Sequence, residues 1–236
     1  MSAQHPPVIE MAGARKTYHT GEVSFEALRG IDLSVGDGEY VAIAGPSGSG
    51  KSTLMNILGC LDVLTEGSYR LGGKDVEQLS EVALARVRNQ QIGFVFQQFH
   101  LLPSLSAVRN VELPLVYGRV DKAQRRERAE LALERVGLGD RLHNRPGELS
   151  GGQQQRVAVA RALAGDPTMI LADEPTGNLG SVSTEEVLGL FDQLHEAGRT
   201  IVLITHEHDV ARHARRMITV RDGLIVSDAA TEEVAA

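Results

Sequence analysis

The chain has 236 residues, with 24 lysines and arginines against 31 aspartates and glutamates, so its formal net charge at neutral pH is −7. This length suits one large α/β domain, or a domain with a small subdomain, and 42% hydrophobic residues allow a sizeable core. The composition excludes collagen, a coiled coil or a disordered chain, and the acidic balance argues against general nucleic-acid binding.

Cysteine content and hydrophobic runs bear on the cellular compartment of the protein and on membrane crossing. Cys60 is the only cysteine, which rules out an internal disulfide framework and fits a reducing cytosol. The first ten residues, MSAQHPPVIE, have neither a basic region nor an apolar run, so we expect no secretory signal in them. No stretch approaches the roughly 18 consecutive apolar residues of a membrane span, so we expect no membrane crossing.

The first predicted elements are antiparallel strands, followed by a strand–loop–helix unit. Residues 8–35 carry turn signals at Gly21 and Gly30, a pattern more typical of antiparallel strands than of crossover units. Residues 39–44 (EYVAIA) are apolar and β-branched, which predicts a buried strand. A glycine-rich turn follows, and residues 51–58 are predicted to form a helix that ends at Gly59.

Three further apolar runs have the length of buried strands, namely 92–96 (IGFVF), 169–172 (MILA) and 200–205 (TIVLIT). Between the last two, apolar residues recur from Val187 at helical spacing. We predict that this helix begins at a capping box formed by Ser183 and Glu186 and ends at Gly198. A strand–helix–strand order at this spacing predicts a right-handed crossover and a mostly parallel sheet.

The middle of the chain is predicted to be helical and its end β-rich. Residues 97–165 have a helical pattern, as in 121–136, which predicts a helical insertion in the α/β core. Two β-prone runs surround Asp222-Gly223, a dipeptide typical of a type I′ hairpin. We therefore expect a single domain, in which residues 1–96 and 166–226 form the core with its antiparallel region, and residues 227–236 form a loose tail.

A phosphate-binding loop follows the first buried strand. Residues 45–53 match the pattern G-x-x-x-x-G-K-[ST] between a predicted strand and a predicted helix. Its glycines permit backbone angles at which successive N–H groups converge on phosphate oxygens, and the helix adds the positive end of its dipole. Lys51 supplies a charge for the β- and γ-phosphates, and the Ser52 hydroxyl suits Mg²⁺. The candidate nucleotide contacts are Gly45, Pro46, Ser47, Gly48, Ser49, Gly50, Lys51, Ser52 and Thr53.

Two carboxylates follow the strand predicted over 169–172. Asp173 stands where a parallel strand delivers its ligands, and we expect it to be a water-mediated partner of Mg²⁺. Glu174, one residue further, projects differently and is expected to polarise an attacking water. The alternative, a solvated acidic strand end, does not account for a phosphate-binding loop in the same chain.

The stretch Leu149-Ser-Gly-Gly-Gln-Gln154 opens a predicted helix over 153–163 and gives it an N-terminus rich in N–H groups. This stretch resembles the signature of ATP-binding-cassette (ABC) ATPases, and the resemblance covers nearly the whole chain. It implies a RecA-like P-loop NTPase fold of the α/β class, with a mostly parallel sheet, an N-terminal antiparallel β subdomain and an inserted α-helical subdomain. For this segment alone, the alternative is ordinary helix capping by Ser150.

The resemblance also implies roles for single residues. Tyr18 resembles the aromatic residue that stacks on adenine, and Gln97 resembles the glutamine that touches Mg²⁺ and reports to the partner. His206 resembles the switch histidine that contacts the γ-phosphate. ATP and Mg²⁺ are the implied cofactors, with Glu174, His206, Lys51 and Gln97 in catalysis and Ser52, Gln97 and Asp173 at the metal.

One chain offers two phosphate-facing surfaces but one P-loop. In ABC ATPases each ATP is sandwiched between the P-loop of one subunit and the signature of another, so the resemblance implies a head-to-tail homodimer with two ATP sites. Ser150, Gly152 and Gln153 would then act in trans, with Gly151 as a further nucleotide contact in the same segment.

One position departs from the pattern of the family. Close relatives have an aspartate at position 180, in a loop that helps to align the opposite active site, and this chain has Gly180. The glycine removes a carboxylate and loosens the backbone. We expect that ATP binding is retained and that hydrolysis is slower or less coupled.

A histidine-rich cluster and two arginine clusters have patterns too weak to predict a site. Residues 206–209 (HEHD), with His213 nearby, resemble a metal-binding group but lack the H-E-x-x-H spacing. Arginine clusters within 125–128 and 212–216 lie on polar helical stretches without interleaved aromatic residues. We therefore expect solvated faces there rather than a nucleic-acid site.

The loop 98–103 (QFHLLP) is aromatic and apolar, and such patches are often interfaces. In ABC transporters this region receives the coupling helices of a separate permease, so the resemblance implies an integral membrane permease in contact with Gln98–Pro103; packing beneath the helical insertion is the alternative. The stretches 59–62, 94–103, 110–114 and 173–179 resemble the bacterial lipoprotein-releasing and macrolide-exporting ATPases. The resemblance thus implies a peripheral subunit at the cytoplasmic face of a bacterial membrane.

Three functions remain open at this point. The first is an ATP-driven export or extraction subunit, whose dimer closes on ATP and moves a four-helix permease. The second is a signalling ATPase, whose permease moves no substrate and regulates cell-wall hydrolases. The third is a soluble ABC protein of repair or translation, which the lack of a second cassette in this sequence disfavours.

Overall fold

The computed structural model describes residues 6–21 and 23–231, and within them it has ten strands, seven α-helices and a short 3-10 helix, Pro146–Glu148. The strands are β1 (Ile9–Thr20), β2 (Val23–Val35), β3 (Tyr40–Ala44), β4 (Glu66–Leu71), β5 (Lys74–Asp75), β6 (Ile92–Phe96), β7 (Met169–Asp173), β8 (Thr200–Thr205), β9 (Arg216–Arg221) and β10 (Leu224–Ala230). The helices are α1 (Lys51–Leu58), α2 (Glu81–Gln91), α3 (Ala107–Tyr117), α4 (Lys122–Arg135), α5 (Gly151–Leu163), α6 (Ser181–Glu196) and α7 (His208–Ala211).

A six-stranded sheet with the order β10-β9-β3-β8-β7-β6 forms the centre of the fold. Strands β9, β3, β8, β7 and β6 are parallel, and β10 is antiparallel to β9. Every residue of β3 and β8 is buried, which explains why their sequences are continuous apolar runs rather than alternating patterns. The expected mostly parallel α/β sheet is confirmed.

Two hydrophobic clusters cover the opposite faces of this sheet. Ala42 on β3 belongs to one cluster, together with the helices α3 to α6, because successive strand residues point to opposite faces. Val41 and Ile43 belong to the other, together with α1 and the second sheet. That second sheet is antiparallel and four-stranded, with the order β2-β1-β4-β5, as predicted for the N-terminal region.

The helical insertion consists of α3, α4 and α5, which pack on one another, while α5 also packs on β6 and α6. The helix predicted over 121–136 is confirmed as α4, with the Asp121 side chain accepting a hydrogen bond from the backbone N–H of Ala123. The predicted hairpin is also present, since Asp222 and Gly223 have φ angles of 49° and 75°, the positive values that a type I′ turn requires.

Helix α5 begins at Gly151, two residues before its predicted start, and two further expectations about element ends are wrong. Helix α6 begins at Ser181 rather than at a capping box on Ser183, because the carbonyl of Gly180 already accepts the first helical bond from the N–H of Thr184. The tail does not begin at residue 227, because β10 continues to Ala230 by pairing with β9. The Thr231 hydroxyl then donates to the carbonyl of Ala214 at 2.6 Å. Residues 232–236, the rest of the expected tail, and residues 1–5 lie outside the described part of the chain.

Helix α2 and the strands β4 and β5 were not predicted from the sequence. The apolar residues of α2 are few, with Leu84 and Val87 as its buried positions, so its helical pattern is weak. No helix in the described ranges is long and apolar enough to cross a membrane.

Candidate active site

The predicted P-loop, metal-binding and catalytic residues converge at the carboxyl edge of the parallel sheet. The loop of residues 45–50 connects β3 to α1, and Gln97 follows β6. Asp173 ends β7, with Glu174 next to it, and His206 follows β8. This edge is where ligands bind in open α/β sheets, because the ends of neighbouring parallel strands meet there.

The phosphate-binding loop is shaped by glycines in backbone conformations that other residues rarely adopt. Gly45 has a φ of 151°, and a Cβ added there would lie 2.1 Å from the carbonyl oxygen of Val220. Gly50 has a φ of 104°, and its Cβ would lie 2.6 Å from the carbonyl oxygen of Ala27. The loop therefore needs glycine at both positions for conformational and packing reasons.

The rest of the loop leaves its polar groups available. Pro46, Ser47 and Gly48 are exposed, as is Ser52 at the start of α1. Thr53 is half-buried. The hydroxyl of Ser49 is buried and has no hydrogen-bond partner among the described residues. Exposed hydroxyls and the free N–H groups of the first helical turn are the donors that a phosphate group requires.

Lys51 is folded back over this loop. Its Nζ donates to the carbonyl oxygens of Gly45 at 2.7 Å and Pro46 at 2.8 Å. Burial lowers the pKa of the Lys51 ammonium, and the carboxylates of Glu174 and Asp173 act in the opposite direction. The ammonium is thus already positioned within the loop that it is predicted to serve.

Burial also raises the pKa of Asp173, the neighbouring Glu174 raises it further, and Lys51 opposes both effects. Two carboxyl groups therefore face one ammonium. Together with the Ser52 hydroxyl, the Asp173 carboxylate forms a set of hard oxygen donors, which is the chemistry that Mg²⁺ prefers. The residues present fit a magnesium ion.

Glu174 is held by two residues at the end of β8. Its Oε1 accepts a hydrogen bond from the backbone N–H of His206 at 2.9 Å and lies 2.6 Å from Nδ1 of the same histidine. Its Oε2 accepts from the hydroxyl of Thr205 at 3.0 Å. The hydrogen bond from Glu174 raises the pKa of His206 above its ordinary value. Glu174 also has a φ of 44°, a conformation that is strained for a non-glycine residue and is often found at functional sites.

Gln97 is paired with a residue that was not predicted as part of the site. Its Nε2 lies 3.4 Å from Oδ1 of Asn178, and the Asn178 side chain donates to the carbonyl of Gln97 at 3.1 Å. A Cβ at Gly177 would lie 2.7 Å from that same Nε2, so a larger residue there would displace the Gln97 side chain. The loop after Glu174 is thereby attached to the end of β6.

The signature segment lies at a different place from the phosphate-binding loop. Ser150 caps α5, since its hydroxyl accepts from the N–H of Gln153 at 3.3 Å and the Gln153 side chain accepts from the N–H of Ser150 at 2.9 Å. Gly152 packs against α6, where an added Cβ would lie 2.7 Å from Oγ of Ser183. Gly151 faces Leu179. Within the described residues, no hydrogen bond joins 150–153 to 45–53.

Tyr18 lies on β1 and is 37% exposed. Its hydroxyl donates to Oδ2 of Asp62 at 2.9 Å. Burial raises the pKa of this phenol, and Asp62 adds to the effect. Tyr18 is therefore too exposed to be a core residue, and its hydroxyl is already paired with Asp62.

Of the other clusters, the part of the chain that the structure describes shows no group of three or more histidine, cysteine, aspartate or glutamate side chains that could hold a metal ion. His208 and Asp209 are exposed on α7. His213 pairs instead with Asp192 on α6, since its Nδ1 lies 3.0 Å from Oδ2 of that residue.

The residues missed by sequence analysis share one property. Thr205, Asn178 and Asp62 act on the predicted site residues through side-chain hydrogen bonds. Each stands within a stretch that the sequence analysis used for another purpose, as a strand or as part of a resemblance. Their only sequence signal is a polar residue next to a predicted site, which is too common to be specific.

The fold and this site define a class of protein. A family model described as "ABC transporter" matches residues 28–177, and the chain belongs to this family. Within it, the chain is an ATP-binding cassette that hydrolyses ATP.

Individual relatives are similar over most of the chain. It is 54% identical over 219 residues to the ABC transporter ATP-binding protein YknY of Bacillus subtilis, covering 93% of this chain and 95% of that protein. It is 52% identical to the macrolide export ATP-binding/permease protein MacB of Hyphomonas neptunium, over 98% of this chain but 36% of MacB. The solved dimeric structure of the cassette MJ0796 bound to ADP and Pi is 43% identical, with a TM-score of 0.85 over 94% of this chain and 98% of that one.

Proposed function

We propose that the chain is the ATP-driven subunit of a bacterial export or extraction system, which acts on a separate membrane permease. The observation that carries this proposal is the convergence of Lys51, Asp173, Glu174 and His206 at one edge of the sheet, with the signature segment placed elsewhere. In this proposal the P-loop forms one half of an ATP site, and the N-terminus of α5 forms the other half of a second ATP site. Its relatives include both separate ATP-binding proteins and the fused exporter MacB.

The chemistry of the P-loop half follows from its residues. Ser52, Asp173 and Gln97 would hold Mg²⁺, which when bound supplies positive charge to the β- and γ-phosphates. The Lys51 ammonium would exchange its bonds to the carbonyls of Gly45 and Pro46 for phosphate oxygens. This exchange keeps the ammonium paired and therefore costs little desolvation.

Glu174 and His206 would supply the proton chemistry. An Oε atom of Glu174 would accept a proton from the attacking water, because it is the carboxylate next to the metal ligand Asp173 and is fixed by Thr205. His206, whose side chain is 62% exposed, would turn from Glu174 to donate to a γ-phosphate oxygen. The pKa of His206 is raised while it is paired with Glu174. After the turn, the negative charge of the γ-phosphate would take the place of the carboxylate and favour the protonated form that donates.

The second half of each site would come from another copy of the chain. We propose that Ser150, Gly151, Gly152 and Gln153 of one subunit face the nucleotide held by the P-loop of the other, in a head-to-tail homodimer. The N-terminus of α5 offers N–H groups and a positive dipole end to the γ-phosphate. The MJ0796 cassette, a relative by structure, is itself dimeric.

A groove beside the loop 98–103 is the proposed permease site. It has a volume of about 890 Å³ and lies between α2, β6 and the ends of α3 and α5. Its floor is aromatic, since the rings of Phe94 and Phe96 stack 5.6 Å apart and Phe96 meets the ring of His100 edge-on at 5.1 Å. Exposed apolar side chains stand at its rim, with Val82 65% exposed and Tyr117 76% exposed.

The walls of this groove are positively charged. They carry Arg86, Arg88, Arg119 and Arg161, and none of the described residues that line the groove is acidic. We infer that the occupant is a cytoplasmic segment of the permease with apolar and acidic side chains. Because this occupant is cytoplasmic, we place the protein at the cytoplasmic face of the membrane.

The side chain of Arg161 joins the signature helix to the loop beside this groove. Arg161, near the end of α5, donates to the carbonyls of His100 at 2.6 Å and Phe99 at 2.8 Å. Of the loop itself, Phe99 and Leu101 are half-buried, whereas Gln98, His100, Leu102 and Pro103 are exposed. Movement of α5 on closure of the dimer would therefore displace the part of the loop that faces the permease.

The test is the capture of a permease by a trapped dimer. The Glu174→Gln protein, with Mg-ATP, is incubated with detergent-solubilised native membranes, and a four-helix permease with a large extracytoplasmic domain should copurify. The same protein with Arg86→Glu and Arg119→Glu should lose the permease but keep ATP binding. Neighbouring cell-wall hydrolases would favour the signalling function, and ribosomes or repair proteins without a permease would contradict the proposal.

A further inference from the structure

The side chain of Tyr18 is fixed from two directions. Its hydroxyl donates to Oδ2 of Asp62 at 2.9 Å, and the Nζ of Lys16 lies over its ring, 5.0 Å from the centroid. The residue is nevertheless 37% exposed, so the ring is held in place without being buried. A hydrogen bond at one end and a cation over one face leave the ring few alternative orientations.

Lys16 and Asp62 form the ion pair that holds the tyrosine. The Nζ of Lys16 lies 2.6 Å from Oδ1 of Asp62 and also donates to the carbonyl of Val63 at 2.8 Å. Lys16 is only 9% exposed, although lysine is rarely buried unless it is paired. Burial raises the pKa of Asp62, but hydrogen bonds from Lys16, the Val63 N–H and Tyr18 bring it below its ordinary value. The carboxylate is therefore ionised and engaged on both oxygens.

The ion pair also connects two parts of the fold. Lys16 and Tyr18 belong to β1 in the antiparallel sheet, whereas Asp62 follows α1, the helix that begins at the phosphate-binding loop. Thr53, in the first turn of α1, lies close enough to the Tyr18 hydroxyl to lower its pKa. The hydrogen bond from Tyr18 to Asp62 thus ties the ring to the segment that follows the P-loop helix.

We infer that Lys16 and Asp62 are positioning residues for the nucleobase, and that they hold Tyr18 as a preformed platform for a purine ring. This inference rests on the proposed function, in which Tyr18 stacks on the base. A side chain ordered before binding does not lose rotamer freedom when the ligand arrives, which improves affinity. Because the ammonium occupies one face of the ring, the base stacks on the other. The ion pair therefore affects binding of the base and not of the triphosphate.

The test compares ATP with inorganic tripolyphosphate, which has similar charge and no base. Asp62→Ala removes the carboxylate that pairs with both Tyr18 and Lys16. We expect it to weaken ATP binding roughly fivefold to tenfold while leaving the affinity for tripolyphosphate unchanged. Titration calorimetry in the presence of Mg²⁺ measures both affinities. The control is Arg70→Met on the same sheet, which removes an exposed ion pair with Glu10 at 3.8 Å and should change neither affinity.

A second variant, Tyr18→Phe, tests the bond to Asp62 while leaving the ion pair with Lys16 intact. Tyr18→Phe retains the ring and loses only the hydroxyl, so it should weaken ATP binding less than Tyr18→Ala does. In the Tyr18→Phe background, Asp62→Ala should have a smaller effect than in the natural sequence, since part of the coupling is already gone. In steady-state assays, Asp62→Ala should raise KM for ATP and leave kcat unchanged.

The outcomes separate this inference from the function on which it rests. Equal weakening of ATP and tripolyphosphate, or no weakening of ATP by Asp62→Ala, would overturn the positioning role. If Tyr18→Ala weakens ATP binding while Asp62→Ala does not, only this inference fails. If Tyr18→Ala itself leaves ATP affinity unchanged, the proposed base platform fails as well.

Discussion

The Nδ1 of His206 lies 2.6 Å from Oε1 of Glu174, although the two residues belong to different strand ends and are separated by 32 positions in the chain. The side chain of Glu174 is 16% exposed, and that of His206 is 62% exposed. The glutamate is thus sheltered, and the histidine is open to a ligand. The contact therefore links the residue proposed as the general base directly to the residue proposed to contact the γ-phosphate.

Replacing Glu174 with glutamine should separate binding from hydrolysis. Glutamine has nearly the same shape but cannot accept a proton, so we expect hydrolysis to fall about 100-fold or more while ATP still binds. Phosphate release and size-exclusion chromatography with light scattering measure the two effects, and ATP should convert the variant to a stable dimer. Glu207→Gln, at an exposed position two residues from Thr205, is the matched control. A Glu174→Gln protein that stays monomeric with ATP would refute the sandwich arrangement.

The same substitution should change the titration of His206. Its pKa is raised chiefly by the hydrogen bond and charge of Glu174, so Glu174→Gln should shift it down toward the ordinary value of about 6.5. NMR titration of the imidazole in nucleotide-free protein measures this shift, with His206→Asn to assign the signal. Because the folded pKa lies above the unfolded one, the contact stabilises the fold fully below the unfolded pKa and is lost as the pH rises through the folded value. An unchanged pKa in the variant would contradict the contact.

Thr205 should be a positioning residue for Glu174. Its hydroxyl donates to Oε2 of Glu174 at 3.0 Å and accepts from the N–H of Glu207 at 3.0 Å. Thr205→Val has a similar shape but no hydroxyl, so we expect kcat to fall about tenfold with little change in ATP affinity. Thr205→Ser restores the hydroxyl and should recover most of the rate. Equal rates for the valine and serine variants would show that the hydroxyl is not involved.

An aspartate at position 180 should raise the rate of hydrolysis. Gly180 has a φ of −76°, and an added Cβ would have no atom within 4 Å, so the backbone does not require glycine here. Aspartate also suits this position because it is the N-cap of α6, where glycine has no side chain to accept a capping hydrogen bond. Gly180→Asp should increase turnover severalfold in a phosphate-release assay, whereas Gly180→Ala should not. If the aspartate leaves turnover unchanged, the expectation of slowed hydrolysis is wrong.

Alanine at position 152 should destabilise the fold. A Cβ there would lie 2.7 Å from Oγ and 2.8 Å from Cβ of Ser183, so α5 and α6 would have to move apart. We expect Gly152→Ala to lower the free energy of unfolding by about 1–3 kcal/mol, measured by denaturant titration. Gly189→Ala is the control, because Gly189 lies within α6 with open space around its Cβ position, and should stabilise by about 0.5–1 kcal/mol. Equal effects of the two substitutions would contradict the packing argument.

The sequence alone determined the features that depend on local pattern. Periodicity and spacing within about ten residues are enough to specify three such features. They are the strand–loop–helix unit around Lys51, the strand ending at Asp173 and the helix capped by Ser150. The family also followed from such short motifs. The same local reasoning placed the N-cap of α6 three residues late, at Ser183 instead of Gly180, and ended β10 too early. The sequence offered a plausible cap at Ser183 and no apolar pattern after residue 226.

Only the tertiary structure decided which side chains meet. The contacts of Glu174 with Thr205 and His206, of Gln97 with Asn178, and of Tyr18 with Asp62 join residues between 31 and 81 positions apart. Such contacts depend on strand order and on the angles at which loops leave the sheet, and neither is encoded in a local pattern. The pairing of the lysine at position 16 with Asp62 has the same origin, since the ammonium is stabilised there by a carboxylate that folding brings to it.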